Sequence, residues 1–186
     1  GEVIHTNFRV VADGDLLYIG FTTDRDPDGQ PNAGNDDSAW VLASNDQGQT
    51  FQSVCVSTAI LTPLAGGEDF NDIDDIEIAL SNVGCQVMYE ADYDVTTTGG
   101  STSGSESVYH QIVTFDASGS LVTVFPVEQQ LTTFAPGDFD IDDNSIIADG
   151  NNVIAFWHEP VANGGGDNDD VVSRTSTDGG LTFGPV

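Results

Sequence analysis

One eight-residue pattern occurs twice in this chain, far apart, and it limits the possible folds more than any other feature. Residues 44–51 read SNDQGQTF and residues 176–183 read STDGGLTF, so both follow S-x-D-x-G-x-T-F. The aspartate of such a pattern accepts hydrogen bonds from backbone N–H groups of its own turn, and the glycine adopts a positive φ. We therefore interpret both octapeptides as hairpin turns with a structural role. The residues assigned to these turns are Ser44, Asp46, Gly48, Thr50, Phe51, Ser176, Asp178, Gly180, Thr182 and Phe183.

A longer repeat surrounds the two octapeptides. Residues 10–24 read VVADGDLLYIGFTTD, residues 78–92 read IALSNVGCQVMYEAD, and residues 146–160 read IIADGNNVIAFWHEP. The unit recurs at roughly 66 to 69 residues, and a strand-rich repeat of this size is typical of propellers or arrays. We therefore predict one domain, residues 1–186, with three blade-like repeats at about 1–64, 65–131 and 132–186.

Each repeat contains four short segments that are typical of β-strands. They are rich in Val, Ile, Phe and Tyr and are bounded by Gly, Asn and Asp, whereas a 3.6-residue apolar period is not evident. The sequence therefore predicts an all-β protein with three four-stranded antiparallel sheets. The predicted strands are 3–11, 16–22, 38–43 and 51–57, then 72–79, 85–91, 108–115 and 121–127, then 141–148, 153–159, 171–175 and 181–186.

Three inserts lie between the second and third predicted strands of the repeats, at residues 24–37, 94–107 and 162–170. Loops at one repeated position fall on one rim of an assembly, which is often the binding rim. The second insert is rich in Gly, Ser and Thr, and we interpret it as a flexible, solvated loop.

The octapeptides resemble the Asp box, also called the bacterial neuraminidase repeat, of sialidase-like β-propellers. In that family the box is a structural hairpin at the periphery of a blade, away from the active site. The second repeat has only a degraded version, TFDASGSLV, in which Asp116 and Gly119 are out of spacing. The resemblance implies a propeller-like fold with Asp-box hairpins. Closed propellers have about four to eight blades, so three repeats predict a partial ring or one completed by several chains.

The same resemblance implies candidate catalytic residues. The segment NFRVV is similar to the Phe/Tyr-Arg-Ile-Pro stretch of the family, whose arginine grips the substrate carboxylate, and this role would fall to Arg9. Arg25 follows the second predicted strand, where family members often place another arginine of the site. Asp36 or Asp37 would lie near the position of the general acid.

The sequence also departs from the sialidase pattern. Val11 replaces the proline, and the remaining arginine, Arg174, precedes an octapeptide, which is a scaffold position. A Tyr paired with Glu, which serves as the nucleophile in the family, cannot be assigned. We therefore expect a non-catalytic chain, with a fragment of a sialidase-like glycoside hydrolase as the alternative.

The chain is strongly acidic. It has 31 Asp and Glu, three Arg and no Lys, which gives a formal net charge of -28. Nucleic acids and anionic lipids need cationic contacts, so we expect neither as a partner. Bound calcium or high salt would offset the charge, and a merely very soluble acidic protein is the alternative. The alternating aspartates of two corresponding segments are the candidate calcium ligands: Asp138, Asp140, Asp142, Asp72 and Asp74.

The two cysteines, Cys55 and Cys85, leave two alternatives open. Without a CxxC motif, a zinc ribbon or thioredoxin-type site is unsupported. An exported chain would favour a disulfide between them, and two separate buried thiols are the other possibility. The chain begins at Gly1 without a leader, and no apolar run approaches the ~20 residues of a membrane span, so we expect a mature or excised segment of an exported protein.

The sequence therefore predicts a non-catalytic extracellular or cell-surface structural or interaction module. Uncovered edge strands associate readily with other chains, so we expect a homo-oligomer, a filament or a surface assembly. A third alternative is a carbohydrate-binding module in which the inter-strand loops and Trp40 or Trp157 contact glycans. For both tryptophans, packing in the core is the competing interpretation.

Overall fold

The structure is a computed structural model of the 186-residue chain. It describes residues 8–23, 38–57, 69–96, 102–132, 141, 143–160 and 169–186. Over these ranges the regular secondary structure is entirely β, which confirms the predicted class. The described part of the chain contains no helix that could span a membrane.

Three antiparallel sheets follow one another along the chain. The first has the order β1 (Phe8–Asp13), β2 (Leu16–Thr23), β3 (Ser38–Ser44) and β4 (Gln52–Cys55). The second contains β5 (Asp69–Leu80), β6 (Cys85–Thr96), β7 (Thr102–Phe115) and β8 (Leu121–Thr123), with β9 (Gln129–Gln130) paired to β7. The third contains β10 (Ser145–Asp149), β11 (Asn152–Pro160) and β12 (Asp169–Ser176). Each sheet is an up-and-down meander, as in the blade of a propeller, and the described residues form no closed ring.

The strand predicted at 121–127 ends at Thr123, and β9 lies outside every predicted strand. Two further segments differ more strongly from the prediction. Residues 181–186 form no strand, although the N–H of Gly184 donates to the carbonyl of Thr175 at 2.9 Å, where a fourth strand would begin. Pro185 has no N–H to continue such a ladder. Most of the insert 94–107, predicted to be a flexible loop, is instead extended, because β6 continues to Thr96 and β7 begins at Thr102 in unbroken register. Its Thr, Val and Ser residues tolerate extended backbone once the partner strand supplies hydrogen bonds.

The second sheet lies between the other two. Its first strand, β5, contacts β1 and β2 on one side and β10 on the other. The first strands of all three sheets are therefore neighbours, which is the arrangement of innermost strands around a propeller axis.

Two apolar clusters hold the three sheets together. The first cluster lies between the first and second sheets, and the second cluster lies between the second and third. Strand β6 contributes to both because successive side chains point to opposite faces: Val87 and Tyr89 enter the first cluster and Met88 enters the second. Residues 85–91 are therefore buried throughout, polar ones included.

Candidate functional site

Arg9 is the one predicted catalytic residue that the structure places. Its Nε donates to Oε1 of Glu77 at 2.7 Å, and its Nη2 lies 2.6 Å from the same oxygen. The pair joins β1 to β5, with 40 % of the arginine side chain exposed. The hydrogen bond to Glu77 raises the pKa of the Arg9 guanidinium. The edge of Arg9 that would grip a substrate carboxylate therefore already holds a carboxylate of the protein.

The structure does not place the other candidates for sialidase-like chemistry. Arg25, Asp36 and Asp37 lie outside the described residues. Arg174 lies on β12, with a buried Nε that has no hydrogen-bond partner among the described residues. The roles of Arg25 and of Asp36 or Asp37 beside Arg9 therefore remain predictions.

The candidate calcium ligands are also largely beyond the described residues. Asp72 and Asp74 lie on β5, whose pairing with β6 shifts between Phe70 and Asp72 and again between Asp74 and Glu77. The structure does not describe the side chains of these two aspartates. Among the residues that it does describe, no three His, Cys, Asp or Glu side chains are grouped to hold a metal ion. The ligands on the other candidate segment, all outside the described residues, are Asp138, Asp140 and Asp142.

The first octapeptide is a turn organised by two side chains. Oδ1 of Asp46 accepts from the backbone N–H of Gln49 at 3.0 Å and of Thr50 at 2.9 Å, and Oδ2 accepts from the Thr50 hydroxyl at 2.6 Å. The Ser44 hydroxyl donates to Asp46 at 2.7 Å and accepts from the N–H of Gly48 at 2.8 Å. These bonds, led by that from Thr50, lower the pKa of Asp46 to about 2.

The second octapeptide repeats this geometry. Asp178 accepts from the N–H of Thr182 at 3.0 Å and from its hydroxyl at 2.5 Å. Ser176 donates to Asp178 at 2.6 Å and accepts from the N–H of Gly180 at 2.9 Å. Hydrogen bonds from Ser176 and Thr182 lower the pKa of Asp178 to about 2. The aspartates are thus occupied by their own turns and are not poised for acid–base chemistry.

Each octapeptide also fastens the first hairpin of its own sheet. The N–H of Gln47 donates to the carbonyl of Asp15 at 3.1 Å, and the N–H of Gly179 donates to the carbonyl of Asn151 at 2.8 Å. Gln47 and Gly179 occupy the same position of the pattern, and Asp15 and Asn151 occupy the same position of the two-residue β1–β2 and β10–β11 turns. In each of these two sheets, the octapeptide turn is therefore hydrogen-bonded to the turn of the first hairpin, and both turns lie at the same rim of the sheet.

The degraded octapeptide of the second repeat forms a shorter version of this turn. Oδ1 of Asp116 accepts from the N–H groups of Ser118 at 2.8 Å and Ser120 at 3.0 Å, and Gly119 has φ +82°. The aspartate still caps the turn between β7 and β8, although the spacing differs. In the sequence, this turn is marked by Asp116 and Gly119 in an Asp-x-x-Gly segment that lacks the Ser and the Thr-Phe of the complete octapeptides.

The aromatic residues that end the octapeptides differ in burial. Phe183 packs against the second cluster and meets the His110 ring edge-on, with centroids 5.0 Å apart. Phe51, at the same position of the first octapeptide, is 45 % exposed. Trp157 is fully buried in the second cluster, which supports the core interpretation, whereas Trp40 is half-buried.

Cys55 and Cys85 are free thiols in the structure; Cys85 is buried and Cys55 is partly buried. Cys85 begins β6 at the rim that carries the octapeptides, whereas β4 starts at that rim and ends at Cys55. The two residues therefore lie toward opposite ends of their sheets. Burial raises the pKa of both thiols.

Sequence reasoning missed a polar connection between the second and third sheets. Nε2 of Gln86 donates to the carbonyl of Gly179 at 2.9 Å and to the hydroxyl of Ser81 at 2.8 Å. Oε1 of Gln86 lies 2.9 Å from Nε2 of His110. Burial lowers the pKa of His110 to about 3, so the imidazole is neutral and donates through Nε2. The available signal was a glutamine and a histidine within otherwise apolar strands.

Comparison with known proteins gives a likeness in architecture. No protein family and no curated protein matches the chain in sequence. Solved structures similar to it include the Trypanosoma rangeli sialidase in complex with sialic acid, at 13% identity and TM-score 0.48, covering 98% of this chain and 30% of that one. Another is the Penicillium chrysogenum α-L-arabinanase complexed with arabinobiose, at 12% identity and TM-score 0.41, covering 86% and 43%. The chain thus spans less than half the length of either enzyme, and these values assign it no activity.

Proposed function

We propose that this chain is a non-catalytic structural and interaction module of the Asp-box kind, which acts outside the cell or at its surface. The observation that carries the proposal is the exposure of apolar side chains on both outer sheets. Phe8 and Val10 of the first sheet are 64% and 51% exposed, and Ile147 and Val171 of the third are 56% and 67% exposed. Contiguous exposed apolar patches are typical of interaction sites.

The site geometry supports the non-catalytic part of this proposal. Arg9 is engaged by Glu77, and Asp46 and Asp178 are engaged by their own turns. A negatively charged sugar would also meet the field of a chain with net charge -28. Calcium or high salt offsets this charge in the proposed setting, and neutral glycans are the ligands least affected by it.

One observation favours a sialidase-like glycosidase fragment as the second candidate. Arg9 lies on an innermost strand and keeps 40 % of its side chain exposed, as a substrate-binding arginine would. Its Nη1 has a long, 3.4 Å bond to the carbonyl of Phe8, which a substrate could replace.

The experiment is a turnover assay on the 186-residue chain with sialosides and arabino-oligosaccharides, in saline with and without calcium. A sialidase and an arabinanase of known activity serve as positive controls. We expect no release of sugar above the rate without protein. Robust release that Arg9→Met abolishes would overturn the proposal and establish the second candidate, and release unaffected by Arg9→Met would indicate a contaminating enzyme.

A further inference from the structure

Each sheet has two non-equivalent faces. The second sheet packs one face against the first sheet and the other face against the third. We call the face of a sheet that meets the preceding sheet its front face, and the face that meets the following sheet its back face. The front face of the second sheet presents Val87 and Tyr89 to the first sheet. Its back face presents Met88 to the third sheet. The two apolar contacts between sheets in the described residues are thus of one type, a back face against the front face of the next sheet.

Strand register shows which positions correspond between sheets. Val10 pairs with Ile19 in the first sheet, as Ile78 pairs with Val87 in the second and Ile146 with Ala155 in the third. The three residues Val10, Ile78 and Ile146 therefore occupy one front-face position. The first sheet has no preceding sheet among the described residues, so its front face is the free one.

The front face of the first sheet has the apolar character of the buried front faces. Val10 is 51% exposed, whereas Ile78 and Ile146 at the same position are each 6% exposed. The face also carries Phe8, paired with Phe21, which in turn pairs with Trp40. The side chain of Phe8 is 64% exposed. At the Val10 position the first sheet thus exposes an apolar side chain where the other two sheets bury one.

The back face of the third sheet is free in the same way. Ile154 corresponds to Tyr18 in the first sheet, because Ile147 pairs with Ile154 as Val11 pairs with Tyr18. Tyr18 is 2% exposed in its contact with the second sheet, whereas Ile154 is 41% exposed. The two free faces of this chain are therefore the two halves of the contact that it already makes twice internally.

We propose that a second copy of this chain binds head to tail, with the back face of its third sheet on the front face of the first sheet. This proposal rests on the proposed function, because it names the partner of the interaction surface. Such a contact is heterologous, so it forms a closed ring or an open chain. Two copies bring together six sheets, within the about four to eight blades of closed propellers.

The net charge modulates the contact. Two chains of charge -28 repel each other, and the repulsion is screened as the Debye length falls to ~3 Å at about 1 M salt. The contact itself is apolar and strengthens in salts that are excluded from protein surfaces. Association therefore increases with ionic strength, which is opposite to the behaviour of a contact held by ion pairs.

The test is the particle mass of three single variants and one mixture, measured by light scattering behind a sizing column in about 1 M NaCl. Val10→Asp disables the front face and Ile154→Asp disables the back face. Val127→Asp is the matched control, because Val127 is 60% exposed but lies between β8 and β9 of the second sheet, which carries neither free face. Thermal unfolding verifies that each variant is folded.

The wild type and Val127→Asp should be larger than a monomer, and each face variant should dissociate at a concentration at least about tenfold higher, as expected for a loss of 1.4 kcal/mol or more. Mixing Val10→Asp with Ile154→Asp leaves one intact front face and one intact back face, so the mixture should form a heterodimer. A self-complementary contact would not be restored by mixing.

A monomeric wild type overturns the proposal, as do assemblies that survive both face variants or mixtures that stay monomeric. The turnover assay is independent of these masses. An inactive monomer would refute the second copy as partner and leave the non-catalytic role intact. An assembly that releases sugar would support the second copy as partner and refute the non-catalytic role.

Discussion

The carbonyl oxygen of Gly179, in the second octapeptide, accepts a 2.9 Å hydrogen bond from Nε2 of Gln86, the second residue of β6 in the second sheet. The bond joins a surface turn of one sheet to a buried strand of its neighbour. The octapeptide therefore does more than close its own hairpin. It also fixes the third sheet against the second.

Removing the Gln86 amide should destabilise the protein. In Gln86→Leu the buried His110 ring and the Gly179 carbonyl lose their partner, and an unsatisfied buried polar group costs about 1–3 kcal/mol. We expect a loss of about 2–4 kcal/mol in the free energy of unfolding, measured by urea denaturation. Gln49→Leu, on an exposed turn, is the control and should stay within about 0.5 kcal/mol of wild type. Equal effects of the two substitutions would contradict this role of Gln86.

The two octapeptide glycines should differ in their tolerance of a methyl group. Both have positive φ, +82° at Gly48 and +90° at Gly180, so alanine costs roughly 1–2 kcal/mol at either. A Cβ at Gly48 would lie 3.8 Å from its nearest neighbours, whereas a Cβ at Gly180 would lie 1.9 Å from Oε1 of Gln86. Gly180→Ala should therefore cost at least about 1–3 kcal/mol more than Gly48→Ala, since the buried amide must move. Indistinguishable unfolding midpoints for the two alanine variants would refute this prediction.

The octapeptide aspartates should make stability depend on pH in the acid range. Their pKa values, about 2 in the folded protein, are below the ordinary 3.8. A depressed pKa contributes stability that is complete above about pH 4 and is lost as the pH falls toward 2. The double variant Asp46→Asn, Asp178→Asn should therefore be less stable than wild type at neutral pH, and the difference should shrink toward pH 2. A difference that is constant from pH 7 to pH 2 would exclude this linkage.

His110 should contribute a second pH dependence at higher pH. Its pKa in the folded protein is lowered to about 3 from 6.5 by burial, so the unfolded chain binds a proton that the folded chain rejects. Its contribution is complete above about pH 6.5 and declines as the pH falls toward 3, by at most about 1.4 kcal/mol per pH unit. His110→Gln should flatten the unfolding free energy between pH 6.5 and 4, with His158→Gln as the surface control. An unchanged slope in His110→Gln would rule out its buried, neutral state.

Calcium should stabilise the protein beyond its effect on ionic strength. We expect a higher unfolding temperature in calcium chloride than in sodium chloride of equal ionic strength, because hard cations prefer carboxylate oxygens. The triple variant Asp138→Asn, Asp140→Asn, Asp142→Asn should lose this difference. If the wild type unfolds at the same temperature in both salts, the calcium proposal fails, and salt stabilises the protein only by screening its net charge.

Local chemistry was sufficient to predict most of the strands and the two complete turns. The segments around Tyr18, Val41 and Val87 are apolar and β-branched or aromatic, which fits a pleated, half-buried surface whatever lies next to it. The turns depend on residues within four positions of Asp46 or Asp178, so the octapeptide alone specifies them. The shortened turn at Asp116 shows that a capping aspartate tolerates a change of spacing.

Properties that depend on contacts between distant segments could not be predicted in this way. Phe51 and Phe183 end octapeptides of the same pattern, yet of the two only Phe183 packs against a neighbouring core, because the His110 ring of the second sheet lies beside it. Likewise, Glu77 neutralises Arg9 from 68 residues away. The sequence by itself determined the all-β class, the threefold repeat and the turns, since these follow from interactions within a few residues. The tertiary structure decided which faces are buried, which charges are paired and which apolar surfaces remain free, because burial and pairing depend on what the fold brings next to each side chain.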